Sequence, residues 1–358
     1  MLSNISLKDN SDYVYLSSVI KSKEKQLLSD GDFAEMLDVD FSKFFSILVE
    51  KGYHLHDDKE NLSFEKIYEW EMWHLYRLIE ELIKVSGLNY LKPLFYLQNE
   101  CINLKLVGKT SLFSEKKEKI NSIDDLSNLP LTQYTLHNKS EILFFYKDFL
   151  FSNDFIGKYI EDEIFSDLAV KLVEIGKDNL TGSKLDILID KFYFSQVNKV
   201  VLRSNSQFLI LFFDIYAGLI NLKNILRLFF EKKEFYDFEP FYIDSNLITK
   251  QICQNLMDNK FEKTGYIFVE NPLSDKILSL INLTIKDKNL SLLEKWIDDQ
   301  LTIIMSENMK SAFFNFENLI AYKWAKEIEL KNIKILYIGK KNNLSKESIE
   351  KLLRKSYV

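Results

Sequence analysis

The hexapeptide Glu329-Leu330-Lys331-Asn332-Ile333-Lys334 has two relatives upstream, Glu100-Cys101-Ile102-Asn103-Leu104-Lys105 and Gly218-Leu219-Ile220-Asn221-Leu222-Lys223. Their asparagines lie 118 residues apart (103 to 221) and 111 residues apart (221 to 332), each close to one third of the 358-residue chain. A second set keeps the same register: FEKIYE (Phe64–Glu69), LDILID (Leu185–Asp190) and LEKWID (Leu293–Asp298). From Glu69, Asp190 and Asp298 to the next asparagine the spacing is 34, 31 and 34 residues. Two short patterns in step three times predict three related units, 1–120, 121–238 and 239–358.

The units are helical. Ala321, Trp324, Ala325, Ile328, Ile335 and Leu336 recur at helical spacing, with Asn332 inside the apolar stripe, where a polar group needs a partner. Gly339 then serves as a stop signal, and Ser345 restarts a helix as N-cap, with Leu344 and Ile349 as a staple, Glu347 in the first turn and Lys351 and Arg354 at the far end. With only ten Gly and four Pro, the chain lacks the punctuation that multi-stranded folds use at every turn, so the expected class is all-α. From Ser63 as N-cap, a long aromatic helix runs to Gly87 and is expected to pack antiparallel on the next, which starts near Tyr90. Polar seams at Lys109–Pro130, with its charge run at 116–119, and at Lys232–Pro240 separate the units; Gly265–Pro272 reads as a strand or an ordered loop.

Several classes of chemistry are disfavoured. A net charge of −6 argues against nucleic-acid binding, which rests on a basic surface. Cys101 and Cys253 lie in helical patterns and suggest neither a disulfide framework nor zinc. The longest apolar run, Phe208–Phe213, ends at Asp214, and Asn221, Lys223 and Arg227 interrupt the residues beyond it, so no transmembrane segment is expected. The first residues, MLSNISLKDN, lack the pattern of a signal peptide, which disfavours export. Gly108-Lys109-Thr110 has the ending of a P-loop, but the glycine needed five residues earlier is Asn103, so Gly108 is read as a helix end and no nucleotide site is expected. Glu71 and His74 have one half of a di-iron ligand spacing without a second half, and His54, His56, Asp57 and Asp58 read as a polar loop. The acids Asp186 and Asp190, like Glu294 and Asp298, lie four apart on one helix face. Because Glu69, Asp190, Asp298 and the asparagines recur instead of converging once, they are assigned to packing, and no catalytic, cofactor or metal residue is expected.

The C-terminal stretch resembles the closing signature of the C subunit of V/A-type ATPases, the counterpart of the d subunit of eukaryotic vacuolar ATPases, which reads roughly AKExEIKNxRxIxxGKxNxLxxExIxxxLRxxYV. The match runs through Ala325, Lys326, Glu327, Glu329, Lys331, Asn332, Gly339, Lys340, Asn342, Leu344, Glu347, Ile349, Leu353, Arg354, Tyr357 and Val358. Tyr13, Tyr15, Leu27 and Leu28 echo the family's N-terminal helix, and Leu188–Phe194 its middle region, whereas Val19 and Lys21 stand where a pair of arginines is expected. The resemblance implies a non-catalytic, funnel-like, pseudo-threefold helical socket that joins the central-stalk subunits to the membrane rotor ring, peripheral on the cytoplasmic face, and transmits torque for ATP-coupled ion transport. Competing classes are an all-helical enzyme, for which an aspartate-rich diphosphate motif is missing after Asp298-Asp299, and a free helical scaffold. Lys340, Lys341, Lys351 and Arg354 leave the C-terminal end basic and are the interface candidates.

Overall fold

The computed structural model describes residues 9–53, 63–113, 131–162, 164–261, 274–310 and 313–358. Among the described residues there are sixteen α-helices and no strand, so the fold is all-α. The histidine–aspartate group at 54–58, the charge run at 116–119, the seam from 114 to 130, the segment Gly265–Pro272 and the first eight residues lie outside the described residues.

The helices gather into two compact units. The first comprises residues 1–89, 207–212 and 275–358, and the second residues 90–206 and 213–274. In the first lie α1 (Val14–Glu24), α2 (Asp30–Asp38), α3 (Phe41–Glu50) and α4 (Phe64–Val85); the second is built from α5 (Lys92–Phe113), α6 (Lys139–Phe151), α7 (Phe155–Tyr159), α8 (Phe165–Ile175), α9 (Gly182–Ser204), most of α10 (Gln207–Phe230), α11 (Phe235–Phe238) and α12 (Lys250–Asp258). The chain then returns to the first unit with α13 (Ser274–Asp287), α14 (Leu290–Met309), α15 (Glu317–Lys341) and α16 (Lys346–Glu350).

Helix ends follow local chemistry. Ser29 with Asp32 and Asn138 with Glu141 form capping boxes, and Asp40, Ser63, Thr181, Thr249, Asn289 and Ser345 cap their helices through side-chain oxygens. Gly87, at φ 67°, ends α4 in a left-handed turn. Packing outweighs capping: α4 buries eight side chains from Phe64 to Ile83 at helical spacing, each contributing about 1.5–3 kcal/mol, against about 1 kcal/mol for its Ser63 cap.

In the first unit α15 is the hub. Sixteen of its 25 residues are buried, against α1, α2, α3, α4, α14 and α16, which makes it a core helix. In the second unit α5 and α9 form the most extensive pair, flanked by α6 and α8. The expected pairing of α4 with α5 is replaced by packing of each helix inside its own unit, α4 on α15 and α5 on α9 and α6. Two glycines also differ from expectation. Gly339 does not stop a helix but lies in the last turns of α15, where a Cβ would stand 2.6 Å from Ile349 Cγ1. Gly108 lies inside α5, and a Cβ there would stand 2.6 Å from Tyr146 Cζ. Both are kept small by a close neighbour rather than by a turn.

The expectation that no stretch approaches a membrane-spanning length needs correction at α10. Its 24 residues include an 18-residue window of mean hydropathy 1.6, long and apolar enough to cross a bilayer. Of that window 72% is buried inside the protein, so the apolar content is used as core, and Asn221 within it is satisfied by polar partners.

Candidate functional site

The three repeat asparagines are fully buried and do the same thing. On α5, Asn103 donates from Nδ2 to the Thr132 carbonyl at 2.9 Å and accepts the Thr132 N–H at 3.0 Å. On α10, Asn221 grips Ile243 in the same way, at 2.7 and 3.0 Å. On α15, Asn332 grips Arg354, at 2.8 Å in both directions. Each amide thus stands in for a strand's hydrogen-bonding edge and clips a non-helical segment 22–29 residues downstream onto a helix flank. The partner expected for the buried polar group is a backbone unit.

The first position of the hexapeptide extends the joint in the first copy and makes separate contacts in the third. Glu100 accepts the N–H groups of Leu136 and His137 at 3.0 and 3.1 Å, and Asn99, one residue before it, donates to the Tyr134 carbonyl. Glu329 accepts the Leu28 N–H and the Tyr53 hydroxyl, and Lys326 Nζ lies 2.7 Å from it. In the middle copy the position is Gly218; a Cβ there would stand 2.7 Å from Ser245 Oγ and 3.2 Å from the Ile248 nitrogen, so the missing side chain admits the clipped loop itself. Sequence reasoning missed Glu100 and Glu329. Their signal was an acid at the same offset from the asparagine in two of the three copies.

The repeated acids are hubs for cations. Asp190 on α9 pairs with Lys105 of α5 and lies 4.0 Å from Lys223 of α10, while Asp186, one turn away, takes Lys109 at 2.7 Å and Arg227 at 3.1 Å. Burial pushes the Asp190 carboxyl up, but Lys105 and Lys223 outweigh it and hold the group below the usual carboxylate range. Asp298 on α14 binds Lys331 of α15 and the Arg354 Nε at 3.1 Å. Glu69 differs, being exposed on α4. On that helix the inward carboxylate is Glu71, 2.8 Å from Lys326.

The C-terminal segment is strapped into the first unit residue by residue. Beyond the Asn332 clip, the Lys355 N–H donates to Asp299 at 2.6 Å, the Ser356 N–H to Asp30 at 2.8 Å, the Ser306 hydroxyl to the Tyr357 carbonyl at 2.8 Å and the Tyr357 hydroxyl to Glu24 at 3.1 Å. This divides the four basic candidates. Arg354 lies beyond α16, spends its guanidinium on Asp298 and the Leu352 carbonyl, and Lys340 donates to the carbonyls of Leu37 and Val39. Lys341 is exposed, with its Nζ 5.4 Å from the Tyr337 ring centroid, and Lys351 is exposed at the end of α16.

The residues weighed for reactive chemistry are placed elsewhere. Glu71 and His74 line an open cavity of about 460 Å³ with Lys23, Gln26, Arg77 and Lys326. Burial alone draws the Lys326 ammonium pKa down; Glu329 and Glu71 reverse this and hold it up as a cation. Among the described residues no three His, Cys, Asp or Glu side chains converge as metal ligands. Burial pushes both thiols up, Cys253 to about 12, which keeps them protonated and unreactive. Lys326 ties α15 to α4 through Glu71.

Comparison with curated proteins returned no match. The family described as "ATP synthase (C/AC39) subunit" matches residues 16–352, nearly the whole chain and including all three repeat asparagines. The chain therefore belongs to the ATP synthase (C/AC39) subunit family, which comprises the C subunit of the V/A-type ATPases and its vacuolar counterpart.

Proposed function

We propose that this chain is the non-catalytic socket of a rotary V/A-type ATPase, joining the central stalk to the membrane rotor ring on the cytoplasmic face and transmitting torque during ATP-coupled ion transport. The family match over residues 16–352 is the observation that carries this reading. A part between a water-soluble shaft and a lipid-embedded ring needs stiffness and two interfaces, not a reactive pocket. Amide clips of the kind made by Asn103, Asn221 and Asn332 supply stiffness, because each fixes a connecting segment to a helix by two hydrogen bonds without a flexible ion pair. In this reading the repeats are 1–120, 121–238 and 239–358 in a pseudo-threefold, funnel-like arrangement, and the first two joints, Asn103 with Thr132 and Asn221 with Ile243, tie one repeat to the start of the next. In this reading Lys341 and Lys351 are the basic residues available to an acidic surface of the stalk or ring, and Lys340 and Arg354 hold the segment that presents them.

Affinity capture of the tagged chain from native membranes tests the proposal. Stalk and ring proteins are expected together in the eluate, and the purified chain is expected to give no stoichiometric site for Mg-ATP by calorimetry. Capture of unrelated partners would favour a scaffold, and a stoichiometric nucleotide site would favour an enzyme.

A further inference from the structure

His137 lies between two carboxylates. Its Nδ1 is 2.9 Å from Glu100 Oε1 and its Nε2 is 3.1 Å from Asp162 Oδ2, while the ring stacks on Phe165 with centroids 4.0 Å apart. A neutral imidazole has one donor and one acceptor, so one of its nitrogens would turn a lone pair toward a carboxylate that can only accept. Only the imidazolium satisfies both neighbours. The charged groups facing the ring are Glu100 from α5 and Asp162 from the turn before α8; α8 itself contributes the apolar Phe165, and α6 directs its first acid, Glu141, to the Asn138 N–H. Asp162 also accepts the N–H groups of Ile164 and Phe165, so its position is fixed from its own side.

The same segment carries the Asn103 joint. Thr132 and Tyr134 are held by Asn103 and Asn99, and Leu136 and His137 by Glu100, so residues 131–138 lie along α5 as a strap with amides at one end and a charge at the other. We propose that His137 is a pH-sensitive latch: as a doubly protonated cation between Glu100 and Asp162 it docks the end of the 131–138 strap and the start of α6 onto α5 and α8, and on losing a proton at higher pH it lets that end go. Loss of the proton leaves the buried Glu100 carboxylate with two backbone donors and no countercharge, and turns one imidazole contact repulsive. The amide end, which does not titrate, stays in place.

The direction agrees with the electrostatics. Burial draws the imidazole pKa down, the two carboxylates outweigh it, and the net value lies above 6.5. A group raised in the folded state contributes fully below its unfolded value, near 6.5, and its contribution disappears as pH rises through the raised value. Docking is therefore tight below about pH 6.5 and weakens as pH rises through the raised value.

The chain has four histidines, so selective isotope labelling of the full-length protein gives a resolved imidazole titration, with His137 assigned by its disappearance in His137→Gln. The expected result is an imidazolium that persists above pH 6.5. In parallel, hydrogen exchange of peptides covering 131–138, divided by the intrinsic rate at each pH, is expected to lose about tenfold of protection for each unit by which the His137 equilibrium is raised. Protection is expected to be flat in His137→Gln and to fall at lower pH in Asp162→Asn, which keeps an acceptor for the Ile164 and Phe165 N–H groups but removes one charge. A His137 that is neutral at pH 6.5, or a wild-type strap whose protection changes with pH no more than that of the variants, would overturn the latch.

Discussion

The Asn221 and Asn332 joints use one device in two settings. Asn221 holds Ile243, itself buried, so both hydrogen bonds are inaccessible to water; Asn332 holds Arg354, a half-buried residue. The charges differ as well. Around Asn221 the acids belong to α9 and draw cations from α5 and α10, tying three helices together, whereas around Asn332 the acid on α14 is met by the clipped residue's own guanidinium. In the second unit the amide and the ion pairs are separate supports; in the first they act on one residue. The amide is common to the repeat, and the electrostatics around it are local.

The largest expected effect comes from solvent access. Asn221→Ala strands a buried N–H and a buried carbonyl, each costing about 1–3 kcal/mol, so the loss in thermal and denaturant unfolding is about 2–6 kcal/mol. Asn332→Ala is expected to lose about 1–3 kcal/mol, because its joint is only part-buried. Equal losses would mean that burial does not distinguish the joints. Next is Arg354→Gln, which breaks a partly buried pair with Asp298 and should lose about 1–2 kcal/mol, with a double-mutant cycle to Asn332→Ala showing coupling because both act on the same residue. Replacing the basic end as a block, Lys340 and Arg354 included, is therefore not silent for stability.

The α9 charges make the second unit acid-sensitive. Asp190 is depressed in the folded state, so its contribution is present above the unfolded carboxyl value and is lost as pH falls through the lower folded one. Unfolding monitored on peptides from α5 and α9 is expected to become easier below about pH 4, and Asp190→Asn is expected to flatten that dependence. Smallest of all, Lys341→Gln with Lys351→Gln is expected to change stability by less than about 0.5 kcal/mol while weakening assembly in a salt-sensitive way; unchanged assembly at low and high salt would place the interface on other residues.

The helical class was legible because the scarcity of Gly and Pro and the 3.6-residue stripes are local properties, and the asparagines were found because a polar residue recurring inside an apolar stripe demands a partner. What they hold was not legible. Thr132, Ile243 and Arg354 are bonded through their backbones, so their side chains carry no trace of the contact. Gly108 and Gly339 misled for a similar reason: a helix stop and a close approach of Tyr146 or Ile349 both select glycine, and only coordinates in three dimensions separate them. The basic C-terminus was visible as composition, yet which of its cations point inward depended on carbonyls contributed by α2 and its C-cap, some 300 residues earlier. Unit boundaries were hidden as well, since α15 chooses α4 and α1 as neighbours by fit and not by distance along the chain.

The central claim is that the chain is a mechanical joint rather than a site of chemistry, and ATP-driven ion uptake by native membrane vesicles tests it most directly. Vesicles stripped of this chain are expected to lose uptake and stalk–ring association together, and to regain both when purified wild-type chain is added back, with Asn221→Ala restoring less. Uptake that persists at full rate without the chain, or that is restored without any return of stalk–ring association, would contradict the account.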